Sequence, residues 1–135
     1  MASGIYQRFK ANLMNKVVDL EADIVKCLLL SSAHAFTGVN TTLTEISGNE
    51  VSGTGYTAGG TTLAGKGVTE SNTTKFDATD VSWTTATFTA SHGALYDSSV
   101  GGGDLICSID FSGSKSVTGV TFTIQWHTDG IITLA

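Results

Sequence analysis

"EVSGTGYTAGGTTLAGKGV", Glu50 to Val68, nearly spells two nucleotide-binding motifs. Gly53-x-Gly55-x-x-Ala58 resembles a dinucleotide fingerprint, and Gly60-x-x-x-x-Gly65-Lys66 resembles the start of a P-loop. Either motif, if genuine, demands a strand that feeds a helix, because the helix N-terminus holds the phosphate. A P-loop lysine is also followed by Ser or Thr to hold magnesium, and here Lys66 is followed by Gly67. The continuation Val68-Thr-Glu-Ser-Asn-Thr-Thr74 has strand and turn character. After Ala58, Gly59-Gly-Thr-Thr62 cannot open a stable helix, and no βαβ pattern surrounds it. The glycines are therefore expected to make turns and bulges between short strands that carry Tyr56 and Leu63.

Outward from this stretch the pattern stays β. Residues 24–32, "IVKCLLLSS", place aliphatic residues on both faces apart from Lys26, as in a central strand. Val81, Trp83 and Thr85 are predicted to share one face; Leu105, Cys107, Ile109 and Phe111 share another. Phe122, Ile124 and Trp126 point one way, and Thr121, Thr123, Gln125 and His127 the other. Ser112-Gly-Ser-Lys115 and Gly101-Gly-Gly103 read as reversals, and Asp129-Gly130 as a two-residue hairpin between "FTIQWHT" and "IITLA". Thr41–Ile46 reads as a helical turn in a polar connection. Near the N-terminus Ile5, Phe9, Leu13 and Val17 recur every four residues, which predicts an amphipathic helix from residue 4 to about 16 with Ser3 as N-cap. The expected fold class is all-β: a β-sandwich or open barrel of short antiparallel strands with a short N-terminal helix. Residues 1–135 make one β-rich domain, with 1–20 as a helical arm and 21–135 as the β domain.

Composition narrows the function classes. Charged residues are 14% of the 135, and there is no proline, so Thr, Ser and Gly must cover the surface and build the turns. Such a surface suits contact with other proteins. The net charge is −5, and four of the seven basic residues (Arg8, Lys10, Lys16 and Lys26) lie in the first 26 positions. No clustered basic face remains for nucleic acid. No apolar run reaches bilayer length, so no membrane contact is expected, and the N-terminus lacks a signal-peptide pattern. The sequons at Asn40 and Asn72 are then idle matches in a Thr-rich chain.

No chemical constellation emerges. His34, His92 and His127 are far apart in sequence, and none pairs at metal spacing. Asp97 and Asp104 flank the Gly101–Gly103 loop and raise the question of calcium, but no EF-hand pattern accompanies them. No Gly-x-Ser-x-Gly elbow is present. Cys27 and Cys107 lie on apolar strand patterns, as buried inert thiols do. The expectation is no catalytic residue, no metal and no cofactor: not an enzyme.

Four stretches, "GIYQRFKANLMNKVVDLEADIVKCLLL", "NEVSGTGYTAGGTTLAGKGVT", "KFDATDVSWTTATF" and "FTIQWHTDGIITLA", resemble a group of small virion proteins of tailed bacteriophages over nearly the whole chain. The most distinctive marks are Asn49-Glu-Val-Ser-Gly-x-Gly-Tyr56 and Trp126-His-Thr-Asp129-Gly-Ile131. The resemblance implies a structural virion protein of the capsid decoration (cement) kind, synthesised in the host cytoplasm and carried on the capsid surface. Its partners would be the major capsid protein and its own copies, with a trimer favoured. The plainer reading of the N-terminal helix is packing on the chain's own core; the alternative is an arm that docks onto a partner subunit, with Tyr6, Arg8 and Phe9 as the candidate docking residues. A tail or fibre-base component is the main alternative. A carbohydrate-binding module is more remote, since Trp83 and Trp126 alternate inward rather than toward solvent.

Overall fold

The computed structural model describes residues 3–135. In chain order its elements are β1 (Gly4–Ile5), α1 (Gln7–Met14), β2 (Val25–Leu30), β3 (Thr61–Thr62), β4 (Gly67–Thr69), β5 (Thr74–Asp77), β6 (Val81–Asp97), β7 (Asp104–Ile124) and β8 (Ile132–Leu134). The strands pair antiparallel into a five-stranded sheet, ordered β1-β7-β6-β2-β3, and a three-stranded sheet, ordered β4-β5-β8. Neither sheet closes on itself, so the architecture is all-β and sandwich-like rather than a barrel.

β2 shows why its sequence is apolar throughout. Val25, Cys27 and Leu29 enter one core cluster with Phe9, Phe76, Trp83, Phe88 and Phe122. Leu28 and Leu30 enter a second, on the other side, with Tyr6, Ile46, Ala94, Tyr96 and Leu105. A strand buried on both faces keeps no polar alternation. The glycine-rich stretch lies over β2 and β6. Gly60 sits at φ +79°, where a Cβ would collide with the Cys27 carbonyl, and Gly55 at φ +83°, where a Cβ would come within 2.9 Å of the Thr84 carbonyl oxygen. Only glycine lets backbone approach backbone this closely. The loop is tied down by the Glu50 carboxylate, which accepts from the Tyr56 hydroxyl and from the Gly59 N–H at 2.7 Å, and by the Tyr96 hydroxyl, which donates to the Gly59 carbonyl at 2.6 Å. Its glycines thus serve packing.

Several local expectations need correction. The helix begins at Gln7, because Gly4 and Ile5 instead form β1, paired with Ser108 and Cys107. Ser3 does not cap it; its hydroxyl accepts from the Asp110 N–H at 2.9 Å. Thr85 does not share the face of Val81 and Trp83. It is exposed at φ +49° in a bulge, after which Ala86, Phe88 and Ala90 take the inward positions. Ser112–Lys115 is not a reversal but an outsized bulge within a continuous β7, with Ser112 at φ +59° and the register shifting between Ala90 and His92. A further shift between Leu95 and Tyr96 sends Leu105 to the opposite core cluster from Cys107. Asp129-Gly130 does turn the chain, with Gly130 at φ +99° and its N–H donating to the His127 carbonyl at 2.9 Å. The turn does not make a hairpin, since β8 crosses to pair with β5 in the smaller sheet.

Other expectations hold. Gly101–Gly103 lies in the connection that reverses β6 into β7. Phe122 and Ile124 are buried and Trp126 partly so, while Thr121, Thr123, Gln125 and His127 face solvent. Leu43–Glu45 forms a single helical turn with a reciprocal Thr42/Glu45 capping box. The Thr41 hydroxyl and the Thr41 and Thr42 N–H groups hold the Glu45 carboxyl down at about 2.

Candidate interaction surface

The N-terminal segment is part of the body of the molecule. Tyr6 and Phe9, expected to meet a partner, are 0% and 2% exposed in the two core clusters, so neither offers docking surface. Phe9 and the half-buried Leu13 do turn toward the chain's own sheet, but the stripe does not hold as drawn: Ile5 lies in β1, Val17 lies past the helix and is 45% exposed, and Asn12, off the stripe, is buried. Arg8 keeps 39% of its side chain in solvent while its Nη1 lies 3.4 Å from Asp104 Oδ2. Asn12 Nδ2 donates to the same oxygen at 2.8 Å. The two side chains fasten α1 to the start of β7.

The surface that lacks a cover lies elsewhere, on the long β6–β7 ribbon. On the outer side of β7, Thr42 bridges Asp104, and β1 pairs only with Cys107 and Ser108. Beyond Asp110 no strand among the described residues runs along that edge, which continues to Ile124. The matching half of β6 is treated differently: the glycine loop covers it, with the Thr87 N–H donating to the Thr54 carbonyl at 2.9 Å. One face of the ribbon carries paired hydroxyls: Ser82 with Thr123 at 2.9 Å, Thr89 with Ser116 at 2.7 Å and Ser91 with Ser114 at 2.8 Å. Beside the open edge lies a groove of about 880 Å3, floored by apolar side chains such as Ile5, Ile109, Phe111, Val117 and Trp126. No Asp or Glu lines it, and Lys115 is its one lysine.

Two buried polar groups were only partly visible in the spacing of residues: Asp97 and Asp104 stood out beside their loop, but Asp23 next to Asp97, and the meeting of His34 with His92, did not. His34 and His92 meet edge to face with ring centroids 5.1 Å apart, both nearly fully buried. His34 Nε2 lies 3.5 Å from the Ser108 hydroxyl, and His92 Nε2 lies 3.7 Å from Asp110 Oδ1. Burial, and secondarily His92, pushes the His34 value below the usual histidine range. At the other end of the ribbon Asp97 pairs in register with Asp104. Asp97 Oδ1 accepts from the Ser99 N–H at 2.9 Å, and Asp23 stands beside the carboxyl. Burial, then the contact with Asp23, raises Asp97 to about 7, while Asp23 is lowered, as in two carboxyls that share one proton. Among the described residues no three His, Cys, Asp or Glu side chains are arranged around a common metal position. Cys27 and Cys107 are free and buried, and burial drives both thiols up, Cys107 to about 12.

In comparisons with family models, curated proteins and solved structures, the chain matches none of them. No helix among the described residues is long and apolar enough to cross a membrane.

Proposed function

We propose that this chain is a structural virion protein of the capsid decoration kind, which binds the assembled head of a tailed phage as a homo-oligomer, a trimer being the expected state, and stabilises it. The resemblance of its sequence to small virion proteins supports this reading. The observation that carries it is the uncovered β7 edge: a charge-poor strand edge invites further strands, and monomeric proteins usually protect theirs with charge, proline or a covering loop. The corresponding half of β6 has such a loop, and among the described residues β7 has none. Docking on a lattice stabilises it by mass action, since the association free energy is lost when capsomers separate. With Tyr6 and Phe9 buried, Arg8 is the remaining candidate contact on the N-terminal segment.

The test compares particles with and without the protein, following DNA release by dye fluorescence during heating, and counts copies per particle. A higher release temperature and hundreds of copies are expected. Equal release temperatures would remove the stabilising role. A few dozen copies confined to the tail would establish the tail or fibre-base alternative instead.

A further inference from the structure

We propose that the outer edge of β7 from Phe111 to Ile124, with the groove beside it, is where a second copy of this chain docks by adding an extended segment as a further antiparallel strand. The proposal rests on the homo-oligomeric part of the function above and names the surface that carries it. The mode of binding is already present in miniature. β1 lies on this edge, its Gly4 opposite Ser108 and its Ile5 opposite Cys107, and the Ser3 hydroxyl continues the track to the Asp110 N–H. From there no strand among the described residues follows the edge, while Ser3, at that end of the track, lines the groove together with Ile5.

Charge selects the occupant. The chain carries twelve acids and a net charge of −5, so two copies repel over most of their surface. Neither the groove nor the stretch Phe111–Ile124 contains an Asp or Glu, and Lys115 is the single charged residue of that stretch. This is a face on which two copies can meet without opposing carboxylates. A basic partner would find no carboxylate here to pair with, and an acidic one only the single cation of Lys115. The edge is instead rich in Ser, Thr and Val, and Val120 stands 54% exposed on it, which suits a like strand through main-chain hydrogen bonds and cross-strand hydroxyl and β-branched pairs.

Thr121 is exposed, lies on the edge and lines the groove, so it can be changed without disturbing the core. Sedimentation equilibrium of the full chain should show a concentration-dependent oligomer of the 14.0 kDa subunit. Thr121→Lys should weaken association by about a hundredfold or more, because strand addition would bury the new charge. Thr121→Val, which keeps the β-branched shape without a charge, should associate like the parent. Circular dichroism of both variants must match the parent. A parent that stays at 14.0 kDa at every concentration overturns the proposal, as does a folded Thr121→Lys that assembles normally, or a monomer that co-purifies with a small molecule filling the groove. Absence of the protein from heads would overturn the functional reading while leaving this oligomer intact, so the two fail separately.

Discussion

The two strands β6 and β7 run side by side for their whole length, yet their two halves are different structures. In the proximal half, Ala90 to Asp97 is buried without a break, and so is Asp104 to Ser108 across from it. Core clusters lie on both faces there, and β2 and β1 flank the pair. In the distal half, buried and exposed residues alternate along β6, one face is a row of hydroxyls, and no described strand covers the outer side of β7. The lesson is that strand identity does not set environment; the layers laid on it do. The proximal half buries His92, Asp97 and Asp104: Asn12 meets Asp104 and the Ser99 N–H meets Asp97 Oδ1, while neither His92 ring nitrogen has a hydrogen-bond partner among the described residues. The distal half spends its sequence on a surface.

Truncations to alanine in the two regions should give very unequal costs. Leu29 is 0% exposed in the strand that covers the proximal half, and Leu29→Ala should lower stability in denaturant by about 2–5 kcal/mol. Val120→Ala, on the distal edge, should stay within about 0.5 kcal/mol. Comparable losses would erase the distinction.

A middle-sized effect comes from pH and belongs to the proximal half alone. The His34 value is lowered in the fold, so its contribution is intact above the ordinary histidine value of 6.5 and is lost as pH falls below it. Asp97 runs the other way. Its value is raised from 3.8 to about 7, so the fold keeps a proton that the unfolded chain releases, and stability declines as pH rises through that interval. Asp97→Asn keeps an acceptor for the Ser99 N–H and offers Asp23 a donor. It should remove the decline above pH 3.8 and stabilise the protein at alkaline pH by about 1 kcal/mol. His34→Phe should flatten the acid limb. A parent-like pH profile in both variants would show that neither group is held as described.

The smallest effect belongs to the hydroxyl row. Thr89→Ala breaks the contact with Ser116 in full solvent exposure and should cost less than about 1 kcal/mol by thermal melting. A larger loss would mean that the distal ribbon stabilises the fold as the proximal half does.

What the sequence made legible follows the same division. β2, the Gly101–Gly103 reversal and the alternation at Phe122–Trp126 were plain because each is governed by local pattern. The bulges at Thr85 and Ser112–Ser114 were not, since each resets which residues face inward and only the partner strand defines the register. The helical stripe of Phe9 and Leu13 was correctly apolar, but a stripe cannot say whether its cover is the same chain or another. The His34–His92 contact depends on the β2–β6 pairing of Leu30 with His92, which brings the loop after β2 onto β6. No spacing between the two histidines announces it. The open edge of β7 could be suspected from its charge-poor composition, but which side lacked a strand required the topology.

Hydrogen exchange along this one ribbon, at low and at high protein concentration, tests the division most directly. Slow exchange is expected for the proximal amides of His92–Asp97 and Leu105–Ser108 at both concentrations, with protection of outward-facing amides between Phe111 and Ile124 that appears only when copies associate. Distal protection that is independent of concentration, or a proximal half that exchanges as fast as the distal one, would contradict it.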